Sequence, residues 1–165
     1  MSVLWPYYWP ALAAGLLLGV ISGLLAVGRG RFRAIIALGL ALSLAGAAIW
    51  HGPLGAANRV TVAVENATRR ALDHYEMPQI DARLQRGPLS RQLILSGKAD
   101  DFQRSELARL MSQVPGASRA TWSRTDRSLP LIVESFIAAA VGYAFGLLLA
   151  YLITLHRRHN AQWSW

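Results

Sequence analysis

The placement of charge constrains this chain more than any other feature. From Met1 to Gly28 it has no Asp, Glu, Lys or Arg, and from Ala34 to Asn58 again none. From Leu129 to His156 the single charged residue is Glu134, whereas the block from His51 to Ser128 carries twelve basic and eight acidic side chains. A stretch that excludes charge over about 20 residues can satisfy its backbone as a helix inside a bilayer. Three such stretches occur, at about 9–27, 34–50 and 130–155. The predicted fold class is an α-helical membrane protein with three transmembrane helices and a small α/β extramembrane domain. Its expected divisions are an N-terminal helical hairpin over 1–50, a polar domain over 54–128, a third span over 129–156 and a basic, aromatic tail over 157–165.

Orientation follows from the arginines. Arg29, Arg31 and Arg33 crowd the turn between the first two stretches, and Arg157 and Arg158 follow the third. Short arginine-rich segments stay on the cytoplasmic side. Both groups agree on an N-terminus and polar block outside and a C-terminus inside, which in a bacterium means the inner membrane with a periplasmic domain. A cleaved signal peptide would carry a positive segment before its apolar run, and none is present. Trp5, Tyr7, Tyr8 and Trp9 then mark the outer end of the first span and Trp50 that of the second, with Trp163 and Trp165 at the inner face. The lipid bilayer is thus an expected partner.

Small residues recur every four positions: Ala11, Gly15, Gly19 and Gly23 in the first stretch, Ala138, Gly142, Gly146 and Ala150 in the third, and Gly39, Ser43 and Ala47 in the second. This spacing keeps them on one helix face, where a missing side chain lets another backbone approach closely. The faces either pack against each other within the chain or dock the helices of other membrane subunits. Glu134 lies four residues after Pro130, near the positive end of its helix, which favours an interfacial anchor over a proton or ion site.

The polar block reads as helix, strand, strand, helix, strand. Apolar residues at Val60, Val64, Ala67, Ala71 and Tyr75 recur with helical spacing over 54–75, although Val60, Val62 and Val64 also alternate. Ile80, Ala82 and Leu84 alternate as a strand, Gly87-Pro88 turns, and 92–96 forms a second strand. Asp100 and Gln103 form a capping pair for the next helix, which Pro115-Gly116 ends before a last strand over 117–123. With Leu95-Ser96-Gly97-Lys98-Ala99 before that helix and Val114-Pro115-Gly116-Ala117 after it, residues 58–124 resemble the BON domain, a small α/β module of bacterial envelope proteins. Ala117 stands where that family usually has Val. The resemblance implies a periplasmic, non-enzymatic module that engages membranes or envelope proteins, and it carries no functional residue across.

The chemistry is sparse. Cysteine is absent, which removes disulfides and thiolate sites. His156 and His159 flank two arginines that would repel a metal cation, and Ser and Thr have no recognisable His and acid partners. No metal site, cofactor or catalytic residue is expected. Sixteen of the seventeen basic residues are arginine, but acids interleave with them in the polar block, so nucleic acid is not an expected partner. The expected role is a non-catalytic accessory or scaffold subunit of a multi-subunit bacterial inner-membrane complex. The alternatives are an envelope module binding phospholipid or cell-wall material, and a small transport or proton-carrying subunit using Glu134.

Overall fold

The computed structural model describes residues 4–27, 31–123 and 128–161, at 161 the backbone alone. Arg29, Trp163 and Trp165 lie outside them. The described residues form five helices and three strands: α1 (Trp5–Ala26), α2 (Phe32–His51), α3 (Ala56–His74), β1 (Asp81–Arg86), β2 (Leu89–Ser96), α4 (Asp101–Met111), β3 (Arg119–Thr121) and α5 (Leu131–Ala161). Helices α1, α2 and α5 are each long and apolar enough to cross a membrane.

All three run past their expected bounds, α2 by only two residues at its start and one at its end. Helix α1 starts four residues before the expected 9 because Pro6 lies in its first turn, where a missing N–H loses no intrahelical bond. Helix α5 carries on through His156, Arg157, Arg158 and His159, since no Gly or Pro interrupts the chain after Gly146. At about 1.5 Å per residue its 31 residues span about 46 Å, well over the ~30 Å of a hydrocarbon core. The tail expected from 157 therefore begins as helix.

The chain divides into two compact units. One, here the helix unit, comprises the described residues within Tyr8–Leu54 and Ser135–Trp165; the other, the sheet unit, those within Met1–Tyr7 and Gly55–Glu134. In the helix unit, Gly15, Gly19 and Gly23 of α1 meet successively later residues of α5, from Ala139 to Ala150, so these two helices run parallel. Helix α2 returns antiparallel, with Gly39 against Ser22 and Ala47 clustered with Ala11 and Ala139.

The sheet unit is built on strand order β1-β2-β3. Strands β1 and β2 are antiparallel, pairing Ala82 with Leu95 and Leu84 with Leu93. Strand β3 runs parallel to β2, pairing Ala120 with Leu93. Period-two alternation puts these five apolar residues on one face, and all are buried. Helix α3 lies against β1 and α4 against β3, contributing buried Val60, Val64, Leu72, Leu107 and Met111. The alternating valines are helical, which buries Val60 and Val64 and leaves Val62 exposed, where a strand would have put all three on one face. Strand β2 begins three residues earlier than expected because Leu89 pairs with Arg86 across the turn. Strand β3 is only three residues long.

Local signals in the loops act as their chemistry demands. Asp100 Oδ1 accepts from the Gln103 backbone N–H at 2.7 Å, and the Gln103 side chain accepts from the Asp100 N–H at 3.2 Å. Gly97 sits at φ +136° with the Gln79 carbonyl where a Cβ would go, so only glycine fits there. Replacing Asp100 with Ala leaves first-turn N–H groups of α4 without that acceptor and should lower unfolding stability by about 1 kcal/mol, read by chemical denaturation of the full chain in detergent.

Candidate functional site

The helix unit offers the first arrangement with functional content, a seam of small residues. A Cβ on Gly15 would collide with the Ala139 carbonyl, on Gly19 with the Tyr143 carbonyl, on Gly142 with the Leu12 carbonyl and on Gly146 with the Leu16 carbonyl. Both helices therefore need glycine at the crossing, and their backbones touch directly. Gly23 meets Ala150, whose methyl group closes the seam. The two small-residue faces noted in the sequence thus pack against each other within the chain. Ala138 is only half-buried, whereas Ala139 is fully buried. A strict four-residue step drifts off a 3.6-residue helix, and the seam follows Ala139, Gly142, Gly146 and Ala150 instead.

Helix α2 joins this pair through Gly39, Ser43 and Ala47, all buried. Ser43 Oγ donates to the Ala139 carbonyl at 3.4 Å, and Tyr143 Oη donates to the Ile36 carbonyl at 2.8 Å. Gly39 has Ser22 Oγ and Tyr143 Oη against it, so it too admits no side chain. Tyr143 is 3% exposed, and sequence spacing missed it because an aromatic beside Gly142 reads as a lipid-facing residue. Its hydroxyl was the available signal, since a buried phenol needs a partner. The flank of α2 beside this face is different: Leu38, Leu42 and Ile49 are exposed, and Gly46, seven residues after Gly39, has open space where a side chain would go.

Of the expected interface residues, Trp5 and Trp9 are exposed and Trp50 is half-buried. Arg31, Arg33, Arg157 and Arg158 are all exposed.

Glu134 belongs to the sheet unit. Arg91 of β2 places its Nε 3.0 Å from each carboxylate oxygen of Glu134, and both side chains are largely shielded. The pair ties the first turn of α5 to the sheet, next to a bridge between Ser90 and Pro130 and a 2.8 Å hydrogen bond between Ser128 Oγ and Ser90 Oγ. Nothing local in the sequence names Arg91, which lies 43 positions away.

Carboxylates also close the free edge of β1. The Ala82 N–H donates to Asp81 Oδ1 at 3.0 Å and the Leu84 N–H to Glu65 Oε1 at 3.2 Å. Glu65 also holds Arg86 at 3.3 Å. An edge strand with occupied donors is a poor template for strand addition. An open groove of about 670 Å³ runs along β1 and β2, lined by Asp81, Arg83, Gln85, Arg86, Ile94 and Ser96 among others. Its two arginines are already held by carboxylates, Arg83 by Asp81 at 2.8 Å and Arg86 by Glu65. On exposed α4, the Arg109 hydrogen bond holds Glu106 below the usual carboxylate range. Among the described residues no group of three His, Cys, Asp or Glu could hold a metal ion. Compared with protein-family models, curated proteins and solved structures, the chain matches none.

Two substitution sets test this geometry. Gly19→Leu should push α1 from α5 and lower resistance to denaturing detergent by about 1–3 kcal/mol, while Gly46→Ala, with room for its methyl, should leave it unchanged or raise it by up to about 1 kcal/mol. Glu134→Gln and Arg91→Gln should each reduce stability by about 1 kcal/mol, discounted for partial exposure, and the double variant should show less than their sum in a double-mutant cycle.

Proposed function

We propose that this chain is a non-catalytic accessory or scaffold subunit of a bacterial inner-membrane complex. In this reading α1, α2 and α5 cross the membrane, the sheet unit lies in the periplasm as a BON-like interaction module, and the C-terminus is cytoplasmic. The observation that carries the proposal is the division of labour in the helix unit. One face of α2 is committed to Ser22, Ala139 and Tyr143, while the flank beside it presents Leu38, Leu42, Ile49 and an unfilled Gly46. A small residue among large apolar ones is the pattern that lets a partner helix come close in lipid.

The order α3, β1, β2, α4, β3 supports the BON-like reading, together with the glycines at 97 and 116, both at positive φ. The Arg91 pair supports an anchoring role for Glu134 over a proton-carrying one, because the guanidinium contacts both carboxylate oxygens and fixes the side chain against the sheet.

Native mass measurement after mild extraction from the membrane of origin tests the subunit role. The expected outcome is a species heavier than the 18.0 kDa chain with a defined second protein at fixed stoichiometry, lost when Gly46 is replaced by Leu. A chain that runs alone under every mild condition overturns the proposal. Labelling of intact cells should modify a cysteine placed at Lys98 and spare one placed at Arg157.

A further inference from the structure

The fold gathers cations that the sequence keeps far apart. Helix α1 and helix α5 are parallel, with Gly23 level with Ala150. Arg157 lies seven residues further on, about 10 Å along the axis at 1.5 Å per residue. Helix α2 is antiparallel, with Gly39 level with Ser22, and Arg31 lies eight residues beyond Gly39 in that same direction, about 12 Å. Arg31 and Arg33 therefore come to the same end of the helix unit as Arg157 and Arg158, within about one helical turn of the same level. All four are exposed. No Asp or Glu occurs anywhere in residues 8–54 or 135–165, so the unit has no acidic side chain to neutralise them. Just inside this level the surface is apolar, with Leu25, Phe32, Tyr151, Leu152 and Leu155 exposed.

We infer that this end of the helix unit is a binding surface for anionic phospholipid, with the four arginines holding headgroup phosphates and the apolar belt beneath them lying along the acyl chains. The chemistry matches on both counts. Guanidinium groups pair bidentately with phosphate oxygens, and a cation beside an anionic leaflet is favoured by about 1 kcal/mol. An acidic protein segment or free phosphate would satisfy the arginines but would leave the adjoining apolar belt uncovered. The inference shares with the proposed function only the premise that α1, α2 and α5 lie in lipid. It does not need a partner subunit.

The test uses the full chain in neutral detergent micelles, titrated with phosphatidylglycerol or phosphatidylcholine, with lipid retention read by native mass spectrometry and the thermal midpoint read in parallel. Phosphatidylglycerol should be retained and should raise the midpoint, phosphatidylcholine should do neither, and added salt should weaken the response. The pair R157Q/R158Q should weaken retention at least about tenfold; these residues are exposed on the last turns of α5, so the change spares the seam. The pair R31Q/R33Q should behave alike, and R70Q/R119Q in the sheet unit should leave retention unchanged. Equal retention of both lipids, undiminished retention in both helix-unit pairs, or the same midpoint shift from inorganic phosphate or a glutamate peptide overturns the inference. A chain that purifies alone yet selects phosphatidylglycerol removes the subunit reading and leaves this one standing.

Discussion

Direct backbone contact between α1 and α5 is the interaction on which the rest of the helix unit depends. In lipid, helices as long and apolar as these would gain nothing from hiding leucine, and close packing and hydrogen bonding are what could hold them together. Four glycines bring the two backbones within reach along about two turns on each helix. That contact makes α1 and α5 parallel and sets their relative level. Helix α2 is then hung on the pair by two hydroxyl groups and a fifth glycine. A side chain at any of these positions would separate the helices and release the hydrogen bonds with them.

The sheet unit depends on different physics. Its strands and two helices bury Val, Leu, Ile and Met against each other, the arrangement expected where water supplies the driving force. Its charges are spent locally. Asp100 caps a helix, Glu65 and Asp81 occupy the donors of an edge strand, and Glu134 pairs with Arg91. The helix unit shows the opposite economy, with no acid at all and its described arginines gathered at one end. One chain thus carries two units held together by different kinds of contact.

Features that act over a few residues were legible in the sequence. The three apolar helices, the capping pair at Asp100 and Gln103, and the turn glycine at 97 all follow from patterns within a window shorter than one element. Their ends were less legible. Pro6 resembles a boundary yet suits a first helical turn, and the arginines after Leu155 resemble a tail yet contain no helix breaker. The seam was legible as a spacing but not in its register, since Ala138 and Ala139 are equivalent to a count of four and distinguishable only by which one faces α1. Tyr143 and Arg91 could not be chosen at all, because a hydroxyl and a guanidinium acquire roles only when a carbonyl or a carboxylate arrives from a distant part of the chain.

By itself the sequence determined where apolar helix ends and polar chain begins, because charge excludes a residue from hydrocarbon wherever it stands. It also determined which positions lack a side chain. Only the tertiary structure decided what those positions are for: that the two glycine faces meet each other rather than lying open, that α2 keeps one face unused, and that arginines over a hundred residues apart share one level. The reason is physical. Periodicity names the face of a helix, but direction and level are relations between two helices, and no single segment contains them.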